Sequence, residues 1–421
     1  MNRRDFIRTL PALAAPFIVP ASVLGRNGRV SPNNKIVMGF IGLGGQGTNQ
    51  LIGTRWAPNG GFMGREDTHV VAVCDVNRNR REAARDRVNE IYGNRDCAAY
   101  LEFEELLARP DIDAVVIATG DRWHALLSMA AAKAGKDLYC EKPHTLTIHE
   151  AQVVAETMKR YNRVMQVGTQ QRSWYEFRFA CELVRNGYIG FVKKITVNVG
   201  GPPLWYCDGP AEPVPEYLDW DRWLGPAPWR PYTSKIAPGG WMAYRDYSGG
   251  EMTNWGAHMF DIAQWAMAMD ESGPVEIFPP DGKEVPVLTY RYANGTLLVR
   301  DLISINTPGV RFEGSEGWLE VSRDHFITGP EHLKKQKLRP DEIHLHRSFN
   351  HQTDFLEAVR TRRRTAAHPD IARRSITVCH LGNIVYWLNR PLKWNPAQER
   401  FVDDPVADRW LERDKRSPWT Y

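Results

Sequence analysis

The chain is poor in the features that announce several protein classes. It has six cysteines in 421 residues, at positions 74, 97, 140, 181, 207 and 379, and no two form a C-x-x-C pair. That argues against a zinc site or a redox dithiol, and no metal is expected. An even count permits disulfides, but Cys74 and Cys140 sit in apolar runs that read as buried strands, which favours reduced core thiols. Charge of one sign is scarce too. The formal net charge is +4 and N-terminal arginines contribute to it, so nucleic acid is not the expected partner. No stable membrane span is expected either: the apolar stretch from Thr9 to Leu24 is short and is broken by Pro11, Pro16 and Pro20. Internal repeats and low-complexity tracts are missing. Against this background the 15 tryptophans stand out, because indoles suit the apolar C–H faces of sugar rings as well as cores.

The organising stretch is Lys35 to Gly47, an apolar run ending in Gly42-x-Gly44-x-x-Gly47. It reads as the strand, turn and helix start of a dinucleotide-binding unit. Gly42 allows the tight turn, Gly44 the approach of a pyrophosphate, and Gly47 the close packing of helix on strand. After a polar, Gly-rich insertion (54–69), His69–Cys74 reads as a second parallel strand ending at Asp75. A carboxylate there can accept hydrogen bonds from an adenosine ribose and repels a 2′-phosphate, so NAD is favoured. Arg78 lies one turn on and would suit that phosphate, so NADP stays open. A helix N-cap is the structural alternative for Asp75.

Further strand–helix units follow. Asp113–Ala118 ends in Thr119-Gly120-Asp121-Arg122-Trp123-His124 and opens a helix over Ala125–Ala134. Asp137–Cys140 ends in Glu141-Lys142-Pro143. A helix over Ile148–Tyr161 and a strand over Val164–Val167 complete an open, doubly wound sheet. A Lys at the C-terminal end of a parallel strand points into the ligand crevice, where an ammonium can hold a hydroxyl and stabilise an alkoxide. From Gly168 the pattern turns to a helix at Tyr175–Arg185, then β-rich runs at 192–199, 287–292, 296–305 and 310–321. Asn294-Gly295 marks a hairpin. Residues 202–247 form a Trp-rich loop that reads equally as a lid or an interface arm. Then comes Gly249-Gly250 to Asp261, where Asn254, His258 and Asp261 are spaced to share one helical face. A His so presented can take a hydroxyl proton.

Together these signals resemble the Gfo/Idh/MocA family, on Gly42-x-Gly44-x-x-Gly47, Asp75, Thr119 with His124, Glu141-Lys142-Pro143 and the Gly-Gly…His258…Asp261 segment. The resemblance implies an N-terminal Rossmann domain (35–167) and a C-terminal α+β domain (168–421) with a large, open, mostly antiparallel sheet. That sheet often forms the oligomer interface in the family, so a dimer or tetramer is expected. It also implies an NAD(P)-dependent oxidoreductase acting on a sugar, polyol or glycoside, with Lys142 orienting the hydroxyl and His258 as general base. The alternative is a redox-neutral, NAD-dependent glycosidase. Asn254 stands where the family often has Asp, and an amide can only orient its neighbour. Gly42, Gly44, Gly47, Asp75, Arg78, Thr119, His124, Glu141 and Lys142 are expected at the cofactor; Arg172, Trp241 and Asp261 are expected at the substrate. Finally, Asn2-Arg3-Arg4-Asp5-Phe6 resembles a twin-arginine export signal over residues 1–30, which implies a periplasmic protein.

Overall fold

The computed structural model describes residues 31, 34–53 and 60–421. The twin-arginine segment, and the first part of the insertion after the glycine turn, lie outside the described residues. The N-terminal apolar runs form β1 (Ile36–Ile41), β2 (Thr68–Cys74), β3 (Ala98–Tyr100), β4 (Ala114–Ile117), β5 (Asp137–Cys140) and β6 (Met165–Val167). All pair in parallel, in the order β3-β2-β1-β4-β5-β6. Between them run α1 (Gly45–Ile52), α2 (Arg78–Tyr92), α3 (Phe103–Leu107), α4 (Asp121–Lys133) and α5 (Ile148–Arg160). The order reverses between β1 and β4, which opens a crevice at the C-terminal strand ends. Ladder bonds continue one residue past the strands: Gly42 N–H donates to the Cys74 carbonyl, Ala118 to Ile41, Glu141 to Ile117 and Gly168 to Cys140. Those bonds line up the glycine turn, Ala118-Thr119 and Glu141-Lys142 along one edge.

Helix α4 starts four residues before the sequence expectation. Gly120 is extended as its N-cap, and Asp121 places an acid in the first turn, where the helix dipole favours it. Helix α2 is capped by the Asn77 side chain, which accepts from Arg80 N–H; Asp75 is therefore not the cap.

The rest of the chain builds a nine-stranded sheet, ordered β13-β12-β11-β7-β10-β9-β8-β14-β15. Its strands are β7 (Val192–Asn198), β8 (Glu276–Phe278), β9 (Thr289–Arg291), β10 (Leu297–Arg300), β11 (Gly309–Gly314), β12 (Trp318–Ser322), β13 (His325–Gly329), β14 (Leu392–Asn395) and β15 (Arg400–Phe401). Only β7 and β10 pair in parallel; the other neighbours are antiparallel. The run at 310–321 is two strands of a hairpin rather than one, because Ser315-Glu316-Gly317 turns the chain. The Asn294-Gly295 hairpin forms as the dipeptide predicts, with Gly295 at φ +88°.

One face of this sheet is covered by α6 (Tyr175–Arg185), α9 (Gly256–Ala266) and α11 (Pro369–Leu388), and their apolar residues share one core with the strands. Two short helices, α7 (Trp220–Leu224) and α8 (Glu251–Asn254), precede α9, and α10 (His351–Thr361) precedes α11. Helix α9 is buried along its whole length. Gly256 lets it approach α11, since a Cβ there would sit 3.1 Å from Cys379 Sγ.

A buried ion pair fixes α9. Arg172 follows β6 and donates through Nε to Asp261 Oδ2 at 2.7 Å and through Nη2 to Asp261 Oδ1 at 2.8 Å. Nη2 also reaches Asp270 at 2.7 Å, and Ser375 on α11 donates to Asp261 at 2.6 Å. Arg172 and Asp261 are each 2% exposed in their side chains, so both charges depend on their partners. Asp261→Ala should lower unfolding free energy by about 3–5 kcal/mol in urea titrations, because it strands a buried guanidinium. A loss below about 1 kcal/mol would mean the pair is solvated in practice.

Candidate functional site

Segments from both sheets meet at the C-terminal edge of the parallel sheet, around a cavity of about 570 Å³. Its floor is the glycine turn. Gly42 sits at φ +90°, and a Cβ there would lie 2.6 Å from the Ala118 carbonyl oxygen. A Cβ on Gly47 would lie 1.9 Å from the Gly42 carbonyl oxygen, so Gly47 serves helix packing and does not line the cavity. Gly44 and Gly45 do line it. Nothing lies within 4 Å of a Cβ built on Gly45, and the nearest atom to one on Gly44 is Arg80 Nη1 at 3.5 Å. Helix α1 begins there without a side-chain cap, so its first-turn N–H groups are open to an anion. This cradle fits a pyrophosphate.

Asp75 stands beside it, 9% exposed. Its Oδ2 accepts from Leu43 N–H at 2.7 Å and its Oδ1 from Asn77 N–H at 2.8 Å. Each oxygen keeps acceptor capacity for a ribose hydroxyl. Burial raises its pKa, and these two N–H donors and Arg80 oppose that. Arg80, not Arg78, lines the cavity; Arg78 is absent from its wall. Leu101, Phe103, Trp123, Leu127 and Trp419 also line the cavity, and the rings of Phe103 and Trp419 pack edge-on to Trp123, apolar faces that suit a planar base. Trp419 brings the C-terminal tail onto Trp123, with ring centroids 4.7 Å apart.

Glu141 is buried at the cavity wall. Its Oε1 accepts from the side-chain amides of Gln46 at 2.9 Å, Gln50 at 2.7 Å and Gln170 at 3.0 Å. Burial still raises its pKa. The next residue, Lys142, projects across the crevice to the second domain. Its Nζ donates to Asn254 Oδ1 at 2.5 Å and to the Asn254 carbonyl at 3.2 Å. Desolvation lowers the pKa of this ammonium, and Glu141 and Asp121 oppose the shift. Asp121 lines the same wall, accepts from Ser248 Oγ at 2.7 Å, and is pushed up to about 6 by burial.

The helix expected to carry Asn254, His258 and Asp261 on one face is broken at Trp255 into α8 and α9. Asn254 and His258 line the cavity, while Asp261 points away to Arg172. His258 is 2% exposed. Its Nε2 lies 3.4 Å from Arg323 Nη2. Burial first, then the charges of Lys142 and Arg323, drives its pKa well below the ordinary histidine value. Both effects favour the neutral ring, the form able to accept a proton.

Thr119 and Trp241 also line the cavity. Three expectations need correcting besides Gly47 and Arg78. Arg172 and Asp261, expected at the substrate, are spent on each other inside the second domain. His124, expected at the cofactor, is buried with Nδ1 2.8 Å from the Pro143 carbonyl and Nε2 3.2 Å from that of Thr119. It ties those two loops together and does not line the cavity. The Trp-rich loop builds its own small core around Trp220, Leu224, Tyr232 and Tyr247. It covers one side of the cavity with Trp223, Pro238, Gly239, Trp241 and Met242. Arg122 anchors it, stacking 3.9 Å from the Trp223 ring centroid.

Arg323 was not expected. It sits on the tight turn between β12 and β13, and an isolated Arg in Val321-Ser-Arg-Asp carries no signal in sequence. The glutamines around Glu141 were also missed, although Gln46 and Gln50 stand at i, i+4 on one helix face. Among the described residues no group of three or more His, Cys, Asp or Glu side chains could hold a metal.

A sequence model described as an oxidoreductase-family NAD-binding Rossmann fold matches residues 36–169, and one described as the family's C-terminal alpha/beta domain matches residues 178–421. The chain belongs to the Gfo/Idh/MocA oxidoreductase family. Its first domain is thus the family's NAD(P)-binding domain, in agreement with the cradle and Asp75. It is 30% identical over 168 residues to a myo-inositol 2-dehydrogenase of Thermotoga maritima, covering 39% of this chain and 46% of that one. It is 25% identical over 213 residues to a glycosyl hydrolase family 109 protein of Shewanella baltica, covering 45% of this chain and 44% of that one. The matches span about half the length of these curated relatives. The solved aldose-aldose oxidoreductase from Caulobacter crescentus shares the fold at TM-score 0.59 and 19% identity, over 85% of this chain and 99% of that one.

A depressed His258 pKa sets a pH prediction. NMR titration of ring-labelled protein should show His258 still neutral at pH 6, protonating only well below the ordinary value of about 6.5. Arg323→Met should move that midpoint upward, since a neighbouring positive charge is lost. A midpoint at the ordinary value in the unmodified protein would contradict the burial and charge described.

Proposed function

We propose that the protein oxidises, or in reverse reduces, a hydroxyl-bearing carbon of a sugar, polyol or glycoside with NAD(P). The observation that carries this is the meeting of Lys142 and His258 at one wall of the cavity whose floor is the glycine cradle. Bound NAD(P) supplies hydride acceptance. The chain's own residues do the rest. Lys142, held by Asn254, offers its ammonium to the substrate hydroxyl oxygen and stabilises the developing alkoxide. The neutral His258 ring takes the hydroxyl proton. Trp241 and Trp255 give flat apolar faces to a sugar ring, and the loop over the cavity keeps bulk water from the reacting carbon.

Asp75 supports a preference for NAD over NADP, and tighter binding of NADP in competition would contradict it. We also assign the twin-arginine segment to export of the folded, cofactor-loaded protein to the periplasm, and the open sheet to assembly of a dimer or tetramer.

A second reading is favoured by the glycosyl hydrolase family 109 relatives: oxidation of a sugar hydroxyl, elimination of the aglycone, and return of the hydride, with no net redox change. The two readings separate by product. Accumulating reduced nicotinamide marks the dehydrogenase, and released aglycone without it marks the glycosidase.

Under either reading, Lys142→Met and His258→Ala should each lower kcat by about 10²–10⁴-fold, the range typical of positioned acid–base groups. NAD affinity should change much less for His258→Ala, which lies away from the glycine cradle. Near-normal turnover by either variant would remove the assigned roles.

A further inference from the structure

The part of the cavity beside Asp75 is walled by segments from both domains. Just past Asp75 the chain meets the Trp-rich loop backbone to backbone. Arg78 N–H donates to the Tyr217 carbonyl at 2.8 Å and Asp219 N–H to that of Val76 at 3.1 Å, around an antiparallel bridge between Asn77 and Leu218. Asp75 N–H donates to the Tyr100 carbonyl at the end of β3. Two residues further on, Glu102 pairs with Arg222 of α7, and both residues line the cavity. Where α7 ends, Gly225 lies against the Trp123 indole, since a Cβ there would sit 2.4 Å from Trp123 Cε2. A third segment closes on the same indole. Arg416 donates through Nη1 to Asp221 Oδ1 at 2.6 Å, through Nη2 to the Asp221 carbonyl at 2.9 Å and through Nε to that of Gly225 at 3.0 Å. Trp419 is turned back by a hydrogen bond from its N–H to the Arg416 carbonyl at 3.0 Å, and it packs edge-on to Trp123 at the cavity wall. Residues 416–421 are thus fixed to α7 at one end and to the first domain at the other.

We propose that these segments form a clasp over the adenosine half of bound NAD(P), closed by Glu102 with Arg222 and by Trp123 with Trp419, and that the cofactor stays on the protein through many turnovers. Asp75 marks where the ribose lies, and the clasp begins on the next residue. A dinucleotide bound there leaves on this side only when the two closing contacts part, so the clasp slows entry as well as exit. Trp419 also offers the adenine an apolar ring, which makes it a cofactor-binding residue supplied from the far end of the chain. The inference rests on the NAD(P)-binding domain and on neither reading of the chemistry.

The test is stopped-flow measurement of nucleotide exchange on the full-length protein. NADH-loaded protein chased with excess NAD gives the release rate from nicotinamide fluorescence, and nucleotide-free protein mixed with NADH gives the association rate. Release from the unmodified protein should be slower than about 1 s⁻¹, a tenth of a typical turnover of about 10 s⁻¹. The Glu102 and Arg222 side chains are 43% and 35% exposed, so Glu102→Ala and Arg222→Ala should each speed both release and association by only about two- to fivefold. A simple charge contact with the nucleotide would behave otherwise, because removing the Glu102 anion would then slow release. Trp419→Ala should speed release by about tenfold or more, as expected when an aromatic ring is taken from a base. Trp229→Ala, at an indole of the same loop that is 63% exposed and does not line the cavity, should change neither rate. If Trp419→Ala is destabilised, the two ion-pair variants decide the question. The clasp is overturned if the unmodified protein releases NADH faster than about 1 s⁻¹, if Glu102→Ala slows release, or if the ion-pair variants exchange nucleotide at the unmodified rates.

Discussion

The contact between Lys142 and Asn254 is the constraint on which the site depends. Lys142 leaves the end of a strand in the first sheet, and Asn254 ends a short helix packed against α9 and α11 of the second domain. One hydrogen bond at 2.5 Å therefore fixes how the cofactor cradle faces His258, four residues further along. Each end of the bond is itself held. Lys142 follows Glu141, whose carboxylate is gripped by three glutamine amides, and α9 is pinned through Asp261 to Arg172. The polar groups that look catalytic in sequence thus divide into two sets. One faces the cavity, and the other holds the first set in place.

Charge follows the same division. The cofactor side is balanced by buried carboxylates with hydrogen-bond donors around them. On the substrate side an amide stands beside Lys142, the charges of Glu141, Asp121 and Glu251 favour its ammonium, and Arg323 stands beside the histidine. Burial lowers the pKa of His258, and the nearby charges of Lys142 and Arg323 lower it further.

Much of the first domain was legible in sequence because buried parallel strands are continuous apolar runs punctuated by glycine, acid or proline at their C-terminal ends. β1, β2, β4 and β5 are each followed by a residue that lines the cavity: Gly42, Asp75, Ala118 and Glu141. The second sheet was harder. β8 and β14 are three and four residues long, too short for their alternation to stand out, and the β11–β12 turn interrupts a run that looks uninterrupted. Arg172 and Asp261 read as site residues because each stands next to the right motif. Their pairing spans 89 positions, which no local pattern reveals. His124 misleads for the same reason: its spacing from Thr119 matches a motif, yet both ring nitrogens face backbone carbonyls. Arg323 shows the converse, since only the folding of β12 and β13 brings it to His258.

The central claim is that this cavity moves a hydride between a carbohydrate carbon and a nicotinamide. The direct measurement is anaerobic single-turnover mixing of NAD-loaded protein with sugars, polyols, sugar acids and glycosides, each carrying deuterium at the hydroxyl carbons. Reduced nicotinamide is followed by absorbance and its isotope content by mass. The account predicts that at least one compound yields reduced cofactor carrying deuterium, lasting for a dehydrogenase and transient for a redox-neutral glycosidase. A nucleotide that binds tightly yet never changes redox state, while a substrate is still converted, would contradict it.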